Sequence, residues 1–112
     1  MVIILEKDYK QISAEKLLLI ANFSNCIIVD IRSPLEYARG HIPGSLNIPA
    51  ETLINKPMLY LNPYFTYYII CNNGTKSAEA VAKLSKQNYN VVNVTGGIDN
   101  WKGPLEKDRC FS

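Results

Sequence analysis

Apolar positions along the chain fall into two alternating kinds of segment. Cys26-Ile-Ile-Val-Asp-Ile, Tyr67-Tyr-Ile-Ile-Cys and Val91-Val-Asn-Val are short, dense in β-branched and aromatic residues and nearly uninterrupted by polar positions. That pattern predicts strands buried on both faces, as in a parallel sheet. Between them, apolar residues recur at helical spacing. Ser13 is a good N-cap for a helix through Ala14, Glu15 and a leucine-rich stretch to about residue 22, with its acidic residue in the first turn. Ser33-Pro34 starts a short second helix, with Ser as cap and Pro at the first helical position; Leu35, Tyr37 and Ala38 follow before Gly40. A longer helix from about residue 75 to 87 places Ala78, Val81 and Leu84 on one side and turns Lys83 and Lys86 away, and Asn88 suits a left-handed cap.

The remaining segments are less regular. Residues 1–5 read as a short strand or a loose start, and Tyr9-Lys-Gln-Ile as the lead-in to the first helix. Turn chemistry surrounds a brief strand at 46–48, and residues 50–55 form a helical turn ended by Pro57. Residues 58–63 carry little pattern, Gly96-Gly97 mark a tight turn or a close backbone approach, and residues 98–101 begin a final turn. Strands alternating with helices indicate an α/β domain with a mainly parallel sheet, whose sites lie beyond the carboxyl ends of the strands. Asp30 and Cys71 both fall at such ends.

Length and composition narrow the class. The 112 residues suit one domain over 1–112, and apolar runs such as 17–21 and 26–29 fall far short of a membrane span, which needs about 20 residues. The amino terminus has neither the basic start nor the small-residue cleavage site of a signal peptide, so a cytoplasmic location is the expectation. A net charge of +2 from mixed signs, with no run of Lys or Arg, gives no basic stripe for nucleic acid or acidic lipid. Cys26, Cys71 and Cys110 are odd in number and widely spaced, which suggests neither a disulfide framework nor a metal site. No cofactor is called for.

The chemistry concentrates at Cys71-Asn-Asn-Gly-Thr-Lys-Ser77, where strand gives way to helix. Unpaired N–H groups at a helix N-terminus attract an anion. A thiol beside a helix N-terminus or a lysine can have its pKa lowered from about 8.5 to roughly 3.5–7.5, which makes it a nucleophile at neutral pH. Gly74 would permit a left-handed backbone angle, Asn72 and Asn73 tolerate unusual ones, Thr75 and Ser77 add hydroxyls or cap the helix, and Lys76 adds positive field.

Three stretches in fixed order, Val29-Asp-Ile-Arg-Ser-Pro-Leu-Glu-Tyr-Ala-Arg-Gly-His-Ile-Pro-Gly-Ser-Leu-Asn-Ile-Pro49, Cys71-Asn-Asn-Gly-Thr-Lys-Ser77 and Gly96-Gly-Ile-Asp-Asn-Trp101, resemble the rhodanese homology domain, over about residues 13–101. The resemblance implies the rhodanese fold, a five-stranded, mainly parallel sheet with helices on both faces, and a single-domain sulfurtransferase. Cys71 would carry a persulfide wrapped by main-chain amides of residues 72–77. Sulfane sulfur would pass from a donor, thiosulfate or an organic or protein persulfide, to a thiol acceptor or cyanide, with a thioredoxin-like protein among the partners it suggests. Many members carry arginine where this chain has Asn72 and again at Lys76. One fewer guanidinium fork disfavours a dianionic donor such as thiosulfate, because Arg binds oxyanions bidentately and Lys acts as a point charge.

Plainer roles suit the neighbouring residues. Asp30 and Arg32 read as supports, the strand-end carboxylate accepting backbone or Arg hydrogen bonds that shape nearby loops. His41 reads as a turn residue, Trp101 and Cys26 as core, and Cys110 as part of a polar tail. Cys71 as a mere buried thiol, and the domain as a non-catalytic binding module, are the rival readings. A cysteine phosphatase or arsenate reductase would need arginine where Ser77 stands.

Overall fold

The structure, a computed structural model, describes residues 4–6, 9–21 and 26–108. Strands β1 (Ile4–Glu6), β2 (Tyr9–Ser13), β3 (Ile27–Asp30), β4 (Leu46–Asn47), β5 (Thr66–Ile70) and β6 (Asn90–Thr95) alternate with helices α1 (Ala14–Ala21), α2 (Pro34–Arg39), α3 (Ala50–Asn55) and α4 (Thr75–Ser85). Single 3₁₀ turns occupy Pro57–Leu59 and Ile98–Asn100. The sheet runs β1-β2-β6-β5-β3-β4. Its last five strands are mutually parallel, as expected, and β1 adds an antiparallel strand along β2.

Successive side chains on a strand point to opposite faces, so a run apolar at every position needs cover on both sides. That is the arrangement found. Val29, Tyr67, Ile69 and Val91 pack with Leu53 of α3 and Ala80, Val81 and Leu84 of α4. Ile28, Tyr68, Ile70, Val92 and Val94 pack on the other face with Ala14 and Leu17 of α1, and with Trp101. On α4 the buried side is Ser77, Ala80, Val81 and Leu84, whereas Ala78, expected on that side, is only half-buried.

Strand β2 replaces the expected lead-in to the first helix. It is short, only its Ile12 is fully buried, and it earns its place by pairing in parallel with β6 from Lys10 to Ser13. Ser13 then ends the strand and caps α1, its Oγ accepting the Lys16 amide at 3.1 Å. Asn88 takes the left-handed conformation expected of it, φ 69°. Asp30 is level with Ile70 across the β3–β5 pair, so Cys71 leaves the sheet one residue beyond, at the same carboxyl end.

Candidate active site

The segment between β5 and α4 is shaped by the turn at Gly96-Gly97. Ile98 N–H donates to Cys71 O and Asp99 N–H to Asn72 O, each at 2.9 Å. A trans peptide points its N–H opposite to its C=O, so the amides of Asn72 and Asn73 face away from that turn. Gly97 sits at φ 58°, ψ −154°, and a Cβ there would lie 2.5 Å from Cys71 O and 2.6 Å from Asn72 O. Gly74 caps α4 in the left-handed conformation, and a Cβ on it would come within 3.0 Å of Gly96 N. Close packing of backbone on backbone therefore sets the loop's curvature.

Within that curve lies the sulfur. Cys71 Sγ accepts the amides of Gly74 at 3.2 Å and Ser77 at 3.3 Å, both belonging to the start of α4. The thiol donates to Ser77 Oγ at 3.2 Å, and that hydroxyl donates in turn to Asn93 Oδ1. Asn93 closes the circuit, its Nδ2 donating to Gly74 O at 3.4 Å. Cys71 is only 4% exposed and belongs to the apolar cluster beneath α4. It nevertheless lines a cavity of about 400 Å³ together with Ile31, Arg32, Glu36, Asn72, Asn73 and Lys76, among others.

Charge around the cavity is mixed. Asp30 is fully buried; its Oδ1 accepts Arg32 N and Nε at 3.0 Å each, and its Oδ2 accepts Arg32 Nη2 at 2.8 Å. Arg32 Nη2 also donates to Gly40 O at 2.7 Å, joining the exit of β3 to the end of α2. A buried ion pair persists only when its remaining hydrogen-bonding capacity is met. Asp30 itself does not border the cavity, but Arg32 does. On α2, Ser33 and Glu36 form a capping box, and Glu36 Oε2 reaches across to accept Asn72 Nδ2 at 3.1 Å. That hydrogen bond from Asn72 holds the Glu36 carboxyl below the usual carboxylate range, against a slight loss of solvation and with help from Ser33 and the Arg32 charge.

Several expectations change with the geometry. Neither Asn72 nor Asn73 adopts a positive φ; Asn88 alone among the described non-glycine residues does. Asn73 acts through its side chain, Oδ1 accepting Thr75 N at 3.0 Å. No hydroxyl caps α4, because Gly74 is the cap residue and Ser77 Oγ is committed to Asn93. Thr75 and Lys76 are exposed and border the cavity. Of the amides of residues 72–77, those of Gly74 and Ser77 are the ones that reach the sulfur.

His41 stands outside the site, stacked on Tyr37 at 3.8 Å with Nδ1 against Tyr37 O. Trp101 is buried, its Nε1 donating to Pro104 O, while Cys26 is half-buried rather than core. Cys110 lies outside the described residues. Among the described residues no cluster of His, Cys, Asp and Glu is placed to hold a metal ion, and no helix is long and apolar enough to cross a membrane. Glu36 and Asn93 went unnoticed in the sequence. The Ser-x-x-Glu spacing of a capping box signalled the first, and an amide inside Val-Val-Asn-Val the second.

The rhodanese-like domain family model matches residues 13–104. The chain belongs to the rhodanese-like domain family. It is 38% identical over 80 residues to the putative sulfur carrier protein YrkF of Bacillus subtilis, covering 70% of this chain and 43% of that protein's length. It is 37% identical over 83 residues to a sulfurtransferase of Allochromatium vinosum, covering 73% of this chain and 77% of the relative. Among solved structures, a rhodanese-like domain protein of Staphylococcus aureus superposes with a TM-score of 0.79 at 34% identity, covering 88% of this chain and 97% of that one. The rhodanese-like fold thus sets Cys71 at the carboxyl end of its central strand, at the start of a helix.

Proposed function

We propose that this rhodanese-like domain is a sulfurtransferase that carries a sulfane sulfur as a Cys71 persulfide. The observation that supports it most is the coincidence of Sγ at a cavity wall with two helix-start amides aimed at it. In the first step the Cys71 thiolate attacks the sulfane sulfur of a donor; the bond to the leaving group breaks, its electron pair leaves with that group, and the persulfide remains, as Cys71-S–S⁻ from thiosulfate or as Cys71-S–SH from a protonated organic persulfide. In the second, a thiol acceptor or cyanide takes the outer sulfur and the thiolate returns. The attacking thiolate and the thiolate that returns both place negative charge on sulfur in the loop, so fixed N–H dipoles already turned to that point are the source of catalysis. The amides of Gly74 and Ser77 hold the inner sulfur, and those of Asn72 and Asn73, turned away from the Gly96-Gly97 turn, are left for the outer one.

An ionised Sγ has no proton to give Ser77, whose hydroxyl then swings from Asn93 to donate to it. Lys76 adds positive field, Thr75 borders the entrance, and the Asp30–Arg32 pair keeps the adjoining loop in register. A protein persulfide or protein thiol joins small molecules as donor or acceptor, in a reducing compartment such as the cytoplasm. The test is intact-protein mass spectrometry after incubation with thiosulfate, mercaptopyruvate or a small organic persulfide. Wild type is expected to gain one sulfur atom that Cys71→Ser does not. No Cys71 adduct from any of the three would overturn the reading and favour a binding module.

A further inference from the structure

The charges bordering the cavity are few and unevenly opposed. Arg32 and Lys76 are positive, and Glu36 is negative. The Arg32 guanidinium is already engaged by buried Asp30 through both carboxylate oxygens. Among the described residues Glu36 has no such cationic clamp. Its hydrogen-bond partners are neutral, Asn72 Nδ2 on one oxygen and Ser33 N and Oγ on the other, so it is fixed in place without being neutralised. The low carboxyl pKa that these bonds produce agrees with an ionised group. The cavity therefore presents one fixed anion and one exposed ammonium beside the reacting sulfur, a pattern suited to a ligand carrying both signs.

The geometry points to Glu36 as a specificity-determining residue that turns away doubly anionic donors and takes the ammonium of an amino-acid persulfide, of which cysteine persulfide is the simplest. The carboxylate of that donor goes to Lys76, the exposed ammonium at the cavity. This rests on the sulfurtransferase reading and names its donor class. At about 400 Å³ the cavity is of small-ligand size. The transfer balances without an added oxidant: the Cys71 thiolate bonds to the outer sulfur of R–S–SH, the donor's own S–S bond breaks, R–S⁻ leaves, and Cys71-S–SH keeps the donor's proton. Asn72 is the second half of the device, because a neutral amide orients Glu36 while leaving its charge free to act.

Single-turnover loading of Cys71, followed by mass spectrometry, compares cysteine persulfide, N-acetylcysteine persulfide and thiosulfate. Cys71→Ser supplies the background from the other cysteines. The acetylated donor keeps the carboxylate and loses only the ammonium. Wild type is expected to load about tenfold faster from cysteine persulfide than from the acetylated donor, equivalent to about 1.4 kcal/mol. Glu36→Gln should erase that preference and speed loading from thiosulfate. Asn72→Arg, which gives Glu36 a cationic partner, should move both rates the same way and carries the test if Glu36→Gln does not fold. Equal wild-type rates from all three donors, or a preference unchanged in the variants, would overturn this inference while sparing the sulfurtransferase reading. No loading from any donor would overturn both.

Discussion

Gly97→Ala tests whether the loop around Cys71 is held by backbone packing. Two costs follow from the structure. The Gly97 angles, φ 58° and ψ −154°, lie in a region that side chains avoid, at about 1–3 kcal/mol. The added Cβ would also sit 2.5 Å from Cys71 O and 2.6 Å from Asn72 O. These are backbone atoms that cannot swing aside, and overpacking of this kind costs about 1–3 kcal/mol more. The sum is about 2–6 kcal/mol, a large part of the roughly 5–15 kcal/mol that holds an ordinary domain folded. Gly44→Ala is the control: φ is also positive, 83°, but nothing lies within 4 Å of its Cβ. Strain alone, about 1–2 kcal/mol, is partly offset there by a stiffer unfolded chain. Equilibrium urea unfolding, read by the fluorescence of the single buried Trp101, should separate the two variants clearly, and Gly97→Ala should also slow sulfur loading. A Gly97→Ala loss no larger than that of Gly44→Ala would refute the packing argument.

Other expectations follow from single contacts. Asn93→Ala removes the acceptor of the Ser77 hydroxyl and a donor to Gly74 O; urea unfolding should show a loss of about 1–3 kcal/mol, with Cys71 loading slowed as well. Asp30→Ala leaves the Arg32 guanidinium, 9% exposed, without its carboxylate, and the same assay should register a loss of about 3–5 kcal/mol. Glu36 has a lower carboxyl pKa folded than unfolded, so its contribution is present above the ordinary value of 4.5 and fades as pH falls through the depressed one. The stability gap between wild type and Glu36→Gln, below about 1 kcal/mol for so exposed a group, should therefore close on acidification. A gap that widens in acid would contradict the assignment.

The parts legible in the sequence were those where local chemistry and tertiary demand agree. The buried runs of β3, β5 and β6 need cover on both faces whatever their neighbours, and Ser13 and Ser33 cap helices through contacts within a few residues. Strand β2 was hidden because most of its side chains are half-exposed and its assignment comes from pairing with β6, distant in the chain. Cys71 and its loop stood out by their place between strand and helix. The roles of Asn72 and Asn73 did not, since both act through side-chain hydrogen bonds rather than unusual backbone angles. Glu36 could be read as a cap, but its position across from Asn72 depends on how α2 lies against the loop.

The order of strands has a consequence for life in a crowded solution. Open rims of a sheet offer unpaired backbone groups to any passing chain and can seed templated growth. One rim here is β4, two residues long and closely followed by Pro49, too brief to template a foreign strand. At the opposite rim the antiparallel Ile4–Glu6 shields β2 and is itself only three residues long. The long, apolar strands that position the sulfur are thereby kept in the interior, where no neighbouring molecule can extend them.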